Sequence, residues 1–176
     1  MKRYSTFSFL KKENFDMIAL QESHISTNEE AHLWELQWRG KLFYSLGSSH
    51  SLGQIILVSK KYMDNTRCIF KDDYILLLET TLGNQEIAIA NIHAPQSVSE
   101  KIQFYSHINN IIEDHTNDDY AVIVLGDFNS VLNNNQGIMS GEKHSTREVA
   151  SLSQLITHLD LQDSWRILHP EEKQYT

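Results

Sequence analysis

A layered α/β domain is the fold class this sequence predicts, and three observations predict it. Short, continuously apolar runs recur along the chain and stop at Gly, Pro or polar residues, as strands covered on both faces do. Between them lie stretches whose apolar residues repeat at helical spacing. Hydrophobic residues make up 40% and charged residues 22% of the 176 residues. That balance is ordinary for a globular chain, and the length supports one domain, residues 1–176, with a real core.

The elements follow in order. The chain begins in a helix that holds Tyr4, Phe7 and Leu10. Residues 15–22 run apolar and then polar, which reads as a strand delivering Gln21 and Glu22 at its end. A second helix spans about residues 28–38. Residues 54–58 follow Gly53 as a strand, and residues 74–81 are rich in Leu and β-branched side chains. Residues 86–93 alternate before stopping ahead of Pro95. Val98, Ile102, Tyr105, Ile108 and Ile112 then fall at spacings of four, three, three and four, a helical stripe. Ser97 and Glu100 suit a capping box in front of it. Residues 120–125 are continuously apolar and stop at Gly126. A last helix carries Val149, Leu152, Ile156 and Leu159, led in by Ser145 and Thr146.

Composition excludes several classes of function. The formal net charge of -8 argues against a protein that grips nucleic acid by bulk electrostatics. It does not exclude a nuclease, because a phosphodiester-cleaving site holds its divalent cation with carboxylates. The longest apolar runs are too short to span a bilayer, so no membrane partner is expected. Met1–Ser5 is not followed by a pure apolar run, which argues against a secretory signal. The single cysteine, Cys68, cannot form an internal disulfide and suits a reducing intracellular compartment.

Candidate chemistry collects at strand ends. The strand ending near residue 22 delivers Gln21-Glu22-Ser23-His24, and the strand ending near 93 delivers Asn91-Ile92-His93-Ala94-Pro95-Gln96. The strand before Gly126 delivers Asp127-Phe128-Asn129-Ser130. Strand ends are where layered α/β proteins build sites. Period-two geometry places Asp127 and Asn129 on one face, with Phe128 turned into the core. Each residue also has a plain reading. Glu22 alone suits a solvated strand end, Asp127 and Asn129 suit a turn after Gly126, and His93 suits a packed or exposed histidine. Three turn accidents, all at strand ends, are harder to accept than one site.

These motifs carry a family resemblance. Residues 16–24 (DMIALQESH), 53–59 (GQIILVS), 91–95 (NIHAP) and 126–132 (GDFNSVL) resemble, in that order, the motifs of the endonuclease/exonuclease/phosphatase superfamily. That group includes deoxyribonuclease I and the apurinic/apyrimidinic endonucleases. Residues 163–170 (DSWRILHP), with Tyr175-Thr176, resemble the endonuclease domain of LINE-type retrotransposon reverse-transcriptase polyproteins. The resemblance covers nearly the whole chain. It implies a four-layer α/β sandwich of the deoxyribonuclease I-like type, incomplete here, and a metal-dependent DNA endonuclease lineage that nicks target sites in retrotransposition. Glu22 would ligate Mg²⁺ or Mn²⁺, hard cations that prefer oxygen. Asp127 would position and activate the attacking water, and Asn129 would orient Asp127 and stabilise the transition state. His93 stands where the retrotransposon enzymes usually carry tyrosine and deoxyribonuclease-like relatives carry histidine; either side chain can donate to a phosphate oxygen. Asn91 and Gln96 are supporting candidates only, Asn91 for substrate binding. Arg147 is a candidate contact to DNA phosphate and equally a solvated helix-start residue. DNA is the expected partner, within a larger reverse-transcriptase polyprotein, and nuclear action follows from the family analogy.

The same resemblance marks differences at both ends. An opening strand with an asparagine, a closing Ser-Arg-Ile-Asp-type strand and a final Ser-Asp-His belong to the family pattern and have no counterpart here. His144, His158 and His169 match no such motif. The expectation is a marginally stable chain, inactive or weakly active, since groups that act as a unit are strongly non-additive. A catalytically dead remnant or binding module is the competing reading, and a phosphatase of small phosphoesters is a third.

Overall fold

The computed structural model describes residues 2–47, 53–132, 145–170 and 172, with the side chains of residues 2–5 outside the description. Its elements are α1 (Lys2–Lys12), β1 (Met17–Gln21), α2 (Asn28–Trp38), β2 (Lys41–Ser45), β3 (Gln54–Val58), β4 (Arg67–Lys71), β5 (Ile75–Leu82), β6 (Gln85–His93), α3 (Val98–His115), β7 (Tyr120–Asp127), α4 (Thr146–His158) and α5 (Ser164–Leu168). A single 3₁₀ turn, Met63–Asn65, stands between β3 and β4. All five strands and four helices expected from the sequence are present, and β2, β4 and α5 are additions. The chain divides into two compact units, Met1–His93 with Thr116–Gly126, and Ala94–His115 with Asp127–Thr176.

The first unit holds both sheets. One has three strands in the order β1-β3-β2, and the other has four in the order β4-β5-β6-β7. Met17 pairs with Val58 and Gln21 with Gln54, so β1 and β3 run antiparallel; β2 flanks β3 on its other side in the same sense. In the second sheet β5 and β6 pair antiparallel from Ile75–Ile92 to Leu82–Gln85. The central strand β3 is wholly buried because helices cover one face and the second sheet the other. Ile55 and Leu57 point to Phe7 and Leu10 of α1 and to Ala31 and Trp38 of α2. Ile56 and Val58, one residue out of phase, point to Leu76, Leu78 and Ile89 of the other sheet. Period-two alternation thus splits one apolar run between two cores.

Two helix ends explain why β2 follows α2 so closely. Thr27 caps the α2 N-terminus, its hydroxyl accepting from the Glu30 amide at 3.2 Å. Arg39 ends the helix in the left-handed region at φ 66°, its amide donating to Glu35 O at 3.0 Å. Trp38 then buries its ring while its Nε1 donates to Val58 O at 2.9 Å.

The run at 120–125 departs from expectation. Strand β7 lies at the edge of its sheet and alternates between half-buried and exposed, with Ile123 exposed. A continuous apolar run therefore does not mean two covered faces among the described residues here. In the second unit, α3 buries Lys101, Phe104, Tyr105, Ile108, Ile111 and Ile112, and α4 buries Glu148, Leu152 and Leu155. The two helices pack together, and His158 of α4 meets Glu113 of α3 at 2.8 Å. No helix among the described residues is long and apolar enough to cross a membrane.

Candidate active site

In the first unit the candidate residues stand at the ends of β1 and β6. Glu22 leaves β1 at φ 52°, and His24 follows at φ 57°, both in the left-handed region. Side chains other than glycine enter that region at a cost of about 1–3 kcal/mol, which the surroundings must overcome. Ser23 does so by donating its amide to Gly53 O at 3.0 Å, and buried Ile25 accepts at its carbonyl from Gly47 N at 2.9 Å. The result turns the Glu22 carboxylate outward with 58% of its side chain exposed, 4.0 Å from Nε2 of His93, whose side chain is 17% exposed.

Asn91 takes a different part from the one weighed for it. Its side chain is fully buried; Nδ2 donates to Leu20 O at 3.3 Å and Ile55 O at 3.2 Å, and Oδ1 accepts from Gln21 Nε2 at 2.5 Å. Both of its N–H groups are therefore committed to β1 and β3. Asn91 ties the two sheets together directly behind Glu22, where the sequence suggested a substrate contact. Gln96 is exposed in the other unit.

In the second unit the chemistry lies in a turn. The strand ends at Asp127, and Asn129 adopts φ 47° with its amide donating to Asp127 Oδ1 at 2.9 Å. An Asx turn thus replaces the period-two continuation expected for these residues, and Phe128 is half-buried, not turned fully into the core. Asn129 Nδ2 donates to Ala94 O at 2.6 Å, and Ala94 N donates to Asp127 O at 2.8 Å. Just before the turn, Gly126 sits at φ 132° and would place any Cβ 2.0 Å from Ile92 O. Only glycine lets the backbone pass there.

Three residues that sequence reasoning did not single out as functional hold this turn. Tyr105 donates its hydroxyl to Phe128 O at 2.6 Å, Lys101 Nζ donates to Asn129 O at 2.6 Å, and Ser130 Oγ donates to Glu148 Oε1 at 2.5 Å. Lys101 and Glu148 also form an ion pair, with side chains 5% and 2% exposed. Burial, with the Glu148 and Asp127 carboxylates adding to it, pushes the Tyr105 hydroxyl up to about 12, so it remains a donor through the neutral range. A signal for Lys101 was available: with Tyr105, Ile108 and Ile112 it falls at spacings of four, three and four, inside the apolar stripe. Arg147 lies exposed in the first turn of α4, which suits a phosphate contact and a solvated position alike. His158 is taken by Glu113, His169 stacks on Trp165 at 4.9 Å, and His144 falls outside the described residues.

The donor set suits one kind of cation. Mg²⁺ keeps several waters and is held by one or two carboxylates together with substrate phosphate. Glu22, an exposed oxygen donor at a strand end, meets that requirement. Among the described residues no three His, Cys, Asp or Glu side chains converge as an all-protein cage would need.

Comparison with known proteins adds to this geometry. Residues 5–139 match the model of the Endonuclease/Exonuclease/phosphatase family. A relative, the "Transposon TX1 uncharacterized 149 kDa protein" of Xenopus laevis, is 27% identical over 99% of this chain. The chain spans 13% of that protein's length. Among solved structures, an AP endonuclease from Archaeoglobus fulgidus superposes with a TM-score of 0.73 at 15% identity, over 99% of this chain and 72% of that one. The catalytic domain of Xenopus laevis APE2 superposes with a TM-score of 0.70 at 15% identity, over 98% of this chain and 70% of its own. At such identity the likeness speaks for the fold.

Proposed function

Because this chain belongs to the endonuclease/exonuclease/phosphatase family, we propose that it is a nuclease-type phosphodiesterase that hydrolyses a DNA strand with a divalent cation. The observation that carries the reading is the Gly126–Ser130 turn, which fixes a carboxylate and an amide side by side within the matched region. Mg²⁺ or Mn²⁺ held by Glu22 would polarise the scissile phosphate and offset its developing charge. Asp127 accepts the proton of the attacking water while the water oxygen bonds to phosphorus. The bond from phosphorus to the leaving strand breaks, and the leaving oxygen takes its proton from solvent. Asn129 orients Asp127 through its backbone amide and offers its side-chain amide to a phosphate oxygen. His93 donates a further hydrogen bond to the phosphate.

The transposon relative supports a more specific version. We read the chain as the nicking domain of a larger mobile-element protein that acts on DNA in the nucleus, where the target lies. The test is conversion of supercoiled plasmid to open circles by the purified chain with Mg²⁺ or Mn²⁺. Nicking that stops with a chelator and in Asp127→Ala supports the reading. A cooperatively folded chain that leaves the plasmid supercoiled at millimolar metal contradicts it.

A further inference from the structure

A lysine and a glutamate buried to 5% and 2% of their side-chain surface need an explanation, because burying an ion pair is expensive. A well-packed apolar pair in the same space is often as stable or more so. Holding α3 against α4 therefore does not require these charges. What an apolar pair could not supply is hydrogen bonding to the turn beside them. Lys101 donates to Asn129 O, and Glu148 accepts from both Lys101 and the Ser130 hydroxyl. Tyr105, one helical turn along α3 from Lys101, donates to Phe128 O. Three consecutive residues, Phe128, Asn129 and Ser130, are each gripped by a different buried side chain.

The grip falls on a strained segment. Asn129 sits at φ 47°, a conformation non-glycine residues hold only where the surroundings over-determine it. Its amide donates to the Asp127 carboxylate within the same short turn. Glu148 itself is fixed in the first turn of α4, where its amide donates to the capping Ser145 Oγ at 3.2 Å. Lys101 stands in the first turn of α3, its amide bonded to Ser97 O at 3.0 Å. Both clamp residues are thus anchored on regular helices, which hold position better than a loop.

We infer that Lys101, Tyr105 and Glu148 are positioning residues that hold the Asp127–Ser130 turn in the geometry its phosphoester chemistry needs. The inference rests on the proposed function for its catalytic consequence, while the clamp itself can be tested without activity. The ion pair sets the Asn129 carbonyl and the Ser130 hydroxyl, and Tyr105 sets the Phe128 carbonyl. With the backbone fixed at three successive points, the Asp127 and Asn129 side chains need no reorganisation when substrate arrives.

The test uses the double variant Lys101→Met/Glu148→Leu, which removes both charges and leaves neither one buried alone. Backbone order parameters from NMR relaxation are measured at residues 127–130 and, as a control, across β5 and β6. In the parent the turn should match the sheet, near ~0.85. In the double variant the melting temperature and the sheet should stay within the parent's range, while residues 128–130 fall below about 0.6. The kcat for plasmid nicking should drop at least ~10-fold with KM within about twofold, because substrate binding elsewhere is untouched. A double variant with a rigid turn and parent-like kcat overturns the inference and leaves the pair a packing feature. If the double variant fails to fold, Tyr105→Phe decides by the same relaxation measurement: it keeps the ring and removes one donor. A loosened turn in a stable Tyr105→Phe supports the clamp, and an unchanged one rejects it. A parent that never nicks rejects the proposed function, and the relaxation data still decide the clamp.

Discussion

The turn after β1 and the turn after β7 each force a non-glycine residue into the left-handed region, Glu22 at φ 52° and Asn129 at φ 47°. They are held by different means. Behind Glu22 the ties are to backbone and to its neighbours: Ser23 to Gly53, Gln21 to Asn91. The carboxylate itself is left exposed, with His93 at 4.0 Å. Behind Asn129 the ties are three buried side chains, one for each of three successive residues. The difference matches the work each is proposed to do. A carboxylate that shares a hydrated cation with substrate needs room and latitude. A carboxylate that must take one proton from one water needs a fixed position, since small misplacements are costly in rate.

Breaking the tighter of the two turns should give the largest effect. Lys101→Met alone leaves Glu148 buried without its cation, and such half-broken pairs cost roughly 3–5 kcal/mol. Urea denaturation should show that loss, and restoring neutrality with Glu148→Leu should recover most of it. Next come the donors at each turn. Asn129→Ala should lower kcat for nicking by about 10²–10³-fold, as loss of a fixed transition-state donor does. His93→Ala removes one hydrogen bond at the looser end and should cost only about 10-fold. Equal losses would erase the proposed division of labour. Gly126→Ala should destabilise by roughly 1–3 kcal/mol through its positive φ, with the 2.0 Å approach to Ile92 O adding to that. The same substitution at Gly83, at φ 64° with open space around it, should cost less, because a Cβ there meets no close approach and the left-handed region is less restrictive.

The smallest effect concerns the sheet away from both turns. Arg67 bonds Glu79 through two nitrogens at 3.0 and 3.1 Å, and Tyr120 donates to Glu79 at 2.8 Å. The Arg67 guanidinium first, and the Tyr120 hydroxyl with it, hold the Glu79 carboxyl below its ordinary range. A depressed carboxyl stabilises the fold above the unfolded-state pKa and loses that contribution as pH falls through the folded value. Thermal melts at pH 7 and pH 3 should therefore differ slightly less in Glu79→Gln than in the parent. A larger acid sensitivity in the variant would reverse the sign.

Much of the fold could be read from the sequence because its main elements obey one strong period each. The boundaries expected for α2 and β3 match Asn28–Trp38 and Gln54–Val58. Strands β2 and β4 escaped notice for physical reasons. Lys41–Ser45 has five residues and starts directly after a left-handed helix end, and Arg67–Lys71 is an edge strand with little buried surface and a bulge between Cys68 and Phe70. At the candidate site, Glu22, His93, Asp127 and Asn129 are read from motif order, which does not carry their conformations. Period-two reasoning failed at Asn129 because an Asx turn intervenes after Asp127. Asn91 carried the same polar signature as a substrate contact, and only burial shows it joining two sheets. Lys101 and Glu148 escaped notice because sequence alone cannot show that each has the other as a partner.

The central claim is that Glu22 serves the cation and Asp127 serves the water. It is tested most directly by titrating Mn²⁺ against nicking rate for Glu22→Gln and Asp127→Asn. The account predicts that Glu22→Gln needs far more metal for half-maximal rate, while Asp127→Asn saturates at the parent's metal concentration with a rate lower by about 10²–10⁴-fold. Indistinguishable metal curves for the two variants would contradict it.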